Sequence, residues 1–236
     1  MADEGFTHPR LAAFYDIQEG QRDDLDPYVA VAADLQAATV VDIGCGTGVL
    51  ALMLTAQGIH VIAVDPALAS LDIAKAKPGA DTVRWIHGDA RDLPPLQADL
   101  AVMTGNVAQA ITDPADWAAT LAHTHAALRP GGTLMFETRI PARKAWLDWN
   151  REQTHQVLDG TETWVDLLDV DGPLVTFRWT TVFPDGERLT STSTLRFRER
   201  EQLEADLTAQ GFTVTDVRDA PDRPGREFVF LATKSA

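Results

Sequence analysis

The chain has 236 residues, enough for one domain with a sizeable core, and its 45% hydrophobic and 23% charged residues are typical of a globular protein. A net charge of −15, with Lys and Arg scattered, argues against nucleic-acid substrates, since phosphate binding normally needs a basic face. No apolar run approaches the ~20 residues that span a bilayer, and residues 1–5 are acidic and unlike a secretory signal. We therefore expect a cytoplasmic protein that acts on a small molecule.

The N-terminal 38 residues precede the first strand pattern, and we predict that they form a helical cap. An amphipathic pattern over residues 10–17 predicts one short helix, which includes a Phe-Tyr-Asp triplet centred on Tyr15. A polar stretch leads to a second helix that begins near Pro27, because proline is favoured in the first turn of a helix.

Three glycines at alternate positions interrupt the first apolar run. Residues 40–43 read as a buried parallel strand, and residues 49–54 as the start of a helix, with Gly44, Gly46 and Gly48 between them. Glycine allows a sharp turn and close ligand approach, and the free N–H groups at the helix start can bind a polar or anionic group. The spacing differs from Gly-x-Gly-x-x-Gly, and no Lys-Ser/Thr pair follows, which excludes a Walker loop. The pattern predicts a nucleotide-type site.

Polar residues end each of the next three strands. The strand over residues 59–65 ends at Asp65, where a carboxylate can accept hydrogen bonds from ribose hydroxyls. The third strand runs into Gly88-Asp89-Ala90, and the fourth, over residues 99–104, is followed by Gly105-Asn106. Two glycines at 131–132 introduce a fifth strand. This alternation of strands and helices over residues 39–138 is typical of a parallel sheet.

The pattern changes after the fifth strand. We predict a helix over residues 141–149, and then three or four antiparallel strands between residues 151 and 198. A helix over residues 200–209 and strands over residues 212–217 and 228–233 resume the sheet. We expect one domain over residues 1–236, with a helical cap at 1–38 and a β insertion at 151–198.

Four of these segments, in this order, resemble the class I S-adenosylmethionine (SAM) dependent methyltransferases. The glycine loop with Asp42 resembles motif I of that family, and Asp89-Ala90 resembles its adenine-reading segment. Gly105-Asn106 resembles the segment after its fourth strand, and Arg129-Pro130-Gly131-Gly132 recurs before its fifth. The resemblance implies a Rossmann-like α/β fold. Its seven-stranded, mostly parallel sheet has the order 3-2-1-4-5-7-6, with helices on both faces and the antiparallel insertion between strands 5 and 6.

The resemblance also implies SAM as the cofactor and no metal. In the family a Tyr covers the cofactor, a following basic residue meets its methionine carboxylate, and the Asp of the third strand takes the exocyclic amine of adenine. Carried over, the cofactor-binding candidates are Tyr15, Arg22, Asp42, Gly44, Cys45, Gly46, Gly48, Asp65, Pro66, Asp89, Ala90, Thr104 and Asn106. No catalytic residue is predicted, because methyl transfer is an in-line displacement for which the cofactor supplies the reactivity.

Several residues have a second interpretation. Tyr15 could be a packed aromatic, and Asn106 could form a turn or cap a helix. Arg139 and Glu137 could face the substrate, although Arg139 could equally be a surface charge. We interpret the single cysteine, Cys45, as a small residue that fits the loop. Two histidines could reach the site, His8 and His155. Four tryptophans could line the site or form the core of the insertion: Trp146, Trp149, Trp164 and Trp179.

The predicted function is methyl transfer from SAM to an oxygen or nitrogen of a small molecule. The alternatives are a SAM-binding protein without transferase activity, a nicotinamide oxidoreductase, which would need the missing dinucleotide spacing, and a methyltransferase acting on tRNA or protein. The acceptor, and whether the protein is a monomer or a homodimer, stay open.

Overall fold

A computed structural model describes residues 3–235 of the chain. The first two residues of the acidic N-terminal stretch and of the predicted helical cap lie outside this range. The main sheet has seven strands in the order β10-β11-β5-β4-β1-β2-β3. They are β1 (Thr39–Ile43), β2 (His60–Asp65), β3 (Arg84–His87), β4 (Ala98–Met103), β5 (Leu128–Arg139), β10 (Phe212–Asp219) and β11 (Glu227–Lys234).

The strand order confirms the predicted topology. β1 pairs in parallel with β2 and β4, β2 with β3, and β4 with β5, whereas β11 runs antiparallel to both β5 and β10. Since β10 and β11 are the sixth and seventh strands of this sheet along the chain, the order is 3-2-1-4-5-7-6. The central strands are buried on both faces, which is why they read as continuous apolar runs.

Helices cover both faces of the sheet. They are α1 (Glu4–Thr7), α2 (Pro9–Glu19), α3 (Asp26–Asp34), α4 (Val49–Ala56), α5 (Leu68–Ala76), α6 (Val107–Ala110), α7 (Pro114–Ala127), α8 (Arg151–Thr154) and α9 (Arg200–Ala209). Neighbouring residues of β5 point to opposite faces: Phe136 packs with the core beneath α7 and α9, and Met135 with the core beneath α3 and α4. Within residues 3–235, no helix combines the length and the apolar character needed to cross a membrane.

A second, four-stranded antiparallel sheet follows β5 in the chain. It consists of β6 (Gln156–Leu158), β7 (Thr161–Asp171), β8 (Leu174–Val182) and β9 (Arg188–Arg196), as the predicted insertion requires. The helix predicted over residues 141–149 is wrong. Two short 3-10 turns replace it, Pro141–Arg143 and Ala145–Asp148. Lys144, between them, has a left-handed backbone conformation at φ 47°, which a continuous right-handed helix cannot contain.

Candidate functional site

The three glycines of the loop between β1 and α4 have different surroundings. All three have positive φ, from 53° to 80°. A Cβ at Gly44 would lie 2.4 Å from Val107, and one at Gly48 would lie 2.5 Å from the Trp85 ring. The packing around these two positions therefore requires glycine. A Cβ at Gly46 would meet no atom within 4 Å. The loop therefore leaves open space in front of Gly46, where a ligand can approach the backbone.

Asp65, at the end of β2, is bonded to the glycine loop. Its Oδ2 accepts the N–H of Gly46 at 2.8 Å, and its Oδ1 accepts the N–H of Ala67 at 2.7 Å. Burial raises the pKa of Asp65, while these two hydrogen bonds lower it. Each carboxylate oxygen has a second lone pair, so Asp65 can still accept hydroxyl groups from a ligand. Pro66 is exposed beside it, and its carbonyl lies 3.1 Å from the His87 ring.

Asp42 is a buried acid without hydrogen-bond partners. It precedes the last residue of β1, is 1% exposed, and neither of its oxygens has a partner in the described chain. Burial, and secondarily the charge of Asp65, raise its pKa to about 7, while the charge of Arg22 lowers it. Two vacant acceptor atoms beside the glycine loop fit a ligand with N–H or O–H donors. Burial also raises the pKa of the Cys45 thiol, which keeps that residue protonated and is consistent with a packing role.

Asp89 begins a 3-10 turn, Ala90–Asp92, directly after β3. Its carboxylate accepts the backbone N–H of Arg91 at 2.9 Å and lies 2.6 Å from the Arg91 guanidinium. This guanidinium holds the pKa of Asp89 below its usual range, so the carboxylate is ionised. Asp89 is half-buried, and Ala90 is fully buried in the core.

Helix α2 is attached to the glycine loop by a triad of Asp16, Thr47 and Lys77. Asp16 accepts the Thr47 hydroxyl at 2.5 Å and pairs with the Lys77 ammonium at 2.6 Å, and Lys77 donates to the Thr47 carbonyl at 2.8 Å. We call this set the α2 triad. The triad holds α2 at the glycine loop. Tyr15, which is predicted to cover the cofactor, is next to Asp16 in this helix.

Two predicted cofactor contacts of the N-terminal cap have partners within the chain. Tyr15 is half-buried and packs against Phe6, with ring centroids 5.6 Å apart. Arg22 donates two hydrogen bonds to Asp24, at 2.9 and 3.0 Å, and is near enough to Asp42 to lower its pKa.

The segment after β4 is bonded to β5 and β11. Thr104 is half-buried, Gly105 is exposed, and Asn106 is buried in the left-handed conformation at φ 61°. Glu137 accepts the backbone N–H of Asn106 at 3.1 Å and the hydroxyl of Tyr28. The Asn106 amide donates to Glu227 at 3.1 Å and makes no capping bond to α6, so its side chain belongs to the buried network.

Two arginines complete this network. Arg223 contacts Glu227 at 3.1 Å and Glu137 at 3.8 Å. Arg139 lies 3.8 Å from Glu227 and donates to Gln109 at 3.1 Å, so it is an internal partner and not a solvated surface charge. Tyr28, Arg223 and Glu227 did not stand out in the sequence, because they come from two distant segments and no local pattern marks them.

The two histidines with open roles have structural contacts. His8 precedes α2 and its Nδ1 accepts the N–H of Arg10 at 3.3 Å, as an N-cap does. His155 lies 3.1 Å from Glu162 in the insertion. Trp146 and Trp149 pack on Phe197 and Phe177 with centroids 4.6 Å apart. Within residues 3–235, no group of three or more His, Cys, Asp or Glu side chains is placed to hold a metal ion.

Comparisons with known proteins agree with this geometry. Residues 40–132 match the family model of a methyltransferase domain. A cypemycin N-terminal methyltransferase from Streptomyces sp is 33% identical over 116 residues, 49% of this chain and 47% of the relative. The structure of the CcbJ methyltransferase from Streptomyces caelestis covers 100% of both chains with a TM-score of 0.81 and 19% identity.

A third similar protein is a SAM-bound amino pentose methyltransferase of calicheamicin biosynthesis from Micromonospora echinaspora. It is 23% identical, with a TM-score of 0.73 over 94% of this chain and 95% of that one. At these identities the likeness to solved structures shows the fold, and the chain spans about half the length of the relatives that it matches by sequence. Residues 40–132 therefore match a methyltransferase domain, and the chain shares the Rossmann-like fold of solved SAM-dependent methyltransferases.

Proposed function

We propose that the chain is a SAM-dependent methyltransferase that transfers the methyl group to an oxygen or nitrogen of a small-molecule acceptor. The observation that carries this proposal is the open space in front of Gly46, in the loop between β1 and α4, which we call the crevice. There Gly46 leaves room for close approach, and the buried acceptor atoms of Asp42 have no partner. Both features suit a ligand that combines hydroxyl and ammonium donors, and SAM has both.

The residues around this crevice would hold different parts of SAM. Asp65 would accept the ribose hydroxyls, and Asp89 with Ala90 would contact adenine at the end of β3. Asp42 would accept N–H donors of the methionine end, and Tyr15 and Arg22 would cover that end. The remaining proposed contacts are the loop residues and those at the turn after β4, namely Gly44, Cys45, Gly48, Pro66, Thr104 and Asn106.

When bound, SAM supplies an electrophilic methyl group on a sulfonium. The protein must then align the acceptor with that methyl group and keep water away. Helix α2, held by the α2 triad, would close the crevice on one side, and the segment after β4 would position the acceptor on the other.

The proposed acceptor is a small molecule, in keeping with the net charge of −15, which disfavours nucleic acid. Two of the similar proteins are named for action at an N-terminus and on an amino pentose. A SAM-binding protein without transferase activity and a methyltransferase for tRNA or protein are the rival functions.

Calorimetry with S-adenosylhomocysteine (SAH), the demethylated product of SAM, tests the proposed cofactor site. We expect micromolar-range binding to the wild-type protein, of about −8 kcal/mol, and severe loss of binding in Gly46→Val. Gly58→Val is the matched control, because Gly58 also has a positive φ and open space around it but lies after α4, away from the crevice. No SAH binding to the wild type, or equal loss in both variants, would contradict the proposal.

Turnover separates a transferase from a binding protein. Incubation with SAM and pooled small amines, phenols and carboxylates should release SAH at a rate that depends on the acceptor pool. SAH binding without such release would favour the binding-protein alternative.

A further inference from the structure

Two buried glutamates lie close together where β5 ends and β11 begins. Glu137 is 1% exposed and Glu227 is 2% exposed. The titratable groups around them come from each neighbouring element: Tyr28 of α3, Arg139 of β5, Arg223 before β11, and Glu19 of α2, whose pKa the charges of both arginines lower. The neutral amide of Asn106, after β4, also contacts the pair. A buried carboxylate is costly unless it is paired, so this arrangement calls for an explanation.

The network is incomplete in one respect. Glu227 Oε2 and Asn106 Oδ1 have no hydrogen-bond partner in the described chain, and both side chains are more than nine-tenths buried. Asn106 Nδ2 donates a hydrogen bond to the Glu227 carboxylate, so the two atoms without partners lie in the same part of the network. Both atoms are hydrogen-bond acceptors. A ligand that completes the network must therefore present N–H or O–H donors.

Arg223 shows that a cation fits against this pair from the solvent side. Its guanidinium contacts both carboxylates, its side chain is 32% exposed, and it comes from the loop between β10 and β11 and not from a strand. A loop side chain can move away more easily than one held in a sheet. An incoming ammonium group could take the position that Arg223 now holds.

We propose, on the basis of the methyltransferase function above, that the acceptor is an amine whose ammonium group binds Glu137 and Glu227 in place of Arg223, and that Glu137 takes its proton. The amine N–H bond breaks and the proton passes to the Glu137 carboxylate. The freed lone pair forms the new N–C bond as the S–C bond of the sulfonium breaks. The sulfur leaves as a neutral thioether, and the positive charge passes to the methylated amine.

The acidity of Glu137 favours an amine over an alcohol. Burial, and next the charge of Glu227, raise the pKa of Glu137 to about 7, while Arg223 lowers it. An alkylammonium group titrates near ~10, within reach of such a base, whereas an O–H group of water-like acidity near ~16 is not. The carboxylate can therefore prepare a nitrogen nucleophile but not an alkoxide.

Binding of small probes to the SAH-saturated protein tests this inference without turnover. The probes are benzylamine, benzyl alcohol and benzoate, measured by calorimetry at pH 8. We expect benzylamine to bind about tenfold more tightly than benzyl alcohol, and Glu227→Gln to remove about tenfold of that affinity. Arg223→Ala should strengthen benzylamine binding, because it vacates the position. Glu204→Gln, on the exposed face of α9, is the control and should change nothing.

Equal binding of the amine and the alcohol, tighter binding of benzoate, or no benzylamine binding in both the wild type and Arg223→Ala would overturn the inference. Thermal unfolding checks that each variant is folded, and if Glu227→Gln does not fold, the comparison of Arg223→Ala with the wild type still decides. Failure of SAH to bind would instead contradict the proposed function itself, so the two failures are distinguishable.

Discussion

Asp42 is a buried acid whose negative charge is unfavourable in the folded protein. Its carboxylate is buried, lacks partners, and lies near the charge of Asp65. Its folded-state pKa of about 7 is above the 3.8 of a free aspartate side chain, so the folded protein binds this proton more tightly than the unfolded chain does. The resulting stability is fully present below about pH 4 and is lost as the pH rises through about 7.

We expect Asp42→Asn to stabilise the ligand-free protein at pH 8, by up to about 4 kcal/mol, and to have little effect near pH 4. The amide keeps the shape of the protonated acid and removes the cost of ionisation. Chemical unfolding of both proteins from pH 4 to pH 8 measures this difference, with the exposed Asp81→Asn as control. A stability difference that does not change with pH would contradict the assigned cause.

Asp42 and Glu227 differ in how far the sequence alone could point to them. Asp42, Asp65 and the glycines were recognisable because their roles depend on local spacing at the end of a strand. Glu227 and Arg223 were not, because their roles depend on antiparallel pairing of β11 with β5, which brings distant segments together. Local patterns therefore predicted that these residues lie at strand ends beside the glycine loop, but they did not predict the buried network of Glu137 and Glu227.

At the scale of elements, helix α2 is held against the glycine loop by contacts with two other segments. Asp16 contributes from α2, Thr47 from the glycine loop, and Lys77 from the end of α5. The ion pair is partly exposed, so it contributes about 0.2–1 kcal/mol, enough to change how long a ligand stays bound.

Lys77→Met should increase the dissociation rate of SAH by roughly threefold, because the loss of the ion pair loosens α2. Stopped-flow dissociation measures the rate, and hydrogen exchange of the α2 amides reports the loosening directly. Lys75→Met, an exposed residue two positions earlier, is the charge-matched control. If both variants exchange and dissociate like the wild type, the α2 triad does not hold the helix.

Prediction of elements succeeded where a local signal sufficed. Helix α7 begins at Pro114, with Asp113 accepting the N–H groups of Ala115 and Asp116, as its sequence indicated. The helix over residues 141–149 failed because packing overrides propensity there: Trp146 and Trp149 insert into an aromatic cluster with Phe177 and Phe197.

For the whole molecule, the sheet order determines where ligands bind. The order reverses between β1 and β4, and the crevice lies beyond the carboxyl ends of these strands, where open α/β sheets bind ligands. In the proposed complex, the N-terminal helices would cover it on one side. The buried network of β5 and β11 lies on the other side and gives the proposed acceptor site its charge.

A crystal structure of the SAH complex tests the central claim most directly. The account predicts adenine beside Asp89 and Ala90, ribose hydroxyls on Asp65, the homocysteine end between Asp42 and Tyr15, and the sulfur facing Gly105. Adenine bound elsewhere, or a crevice filled by the protein's own side chains, would contradict it.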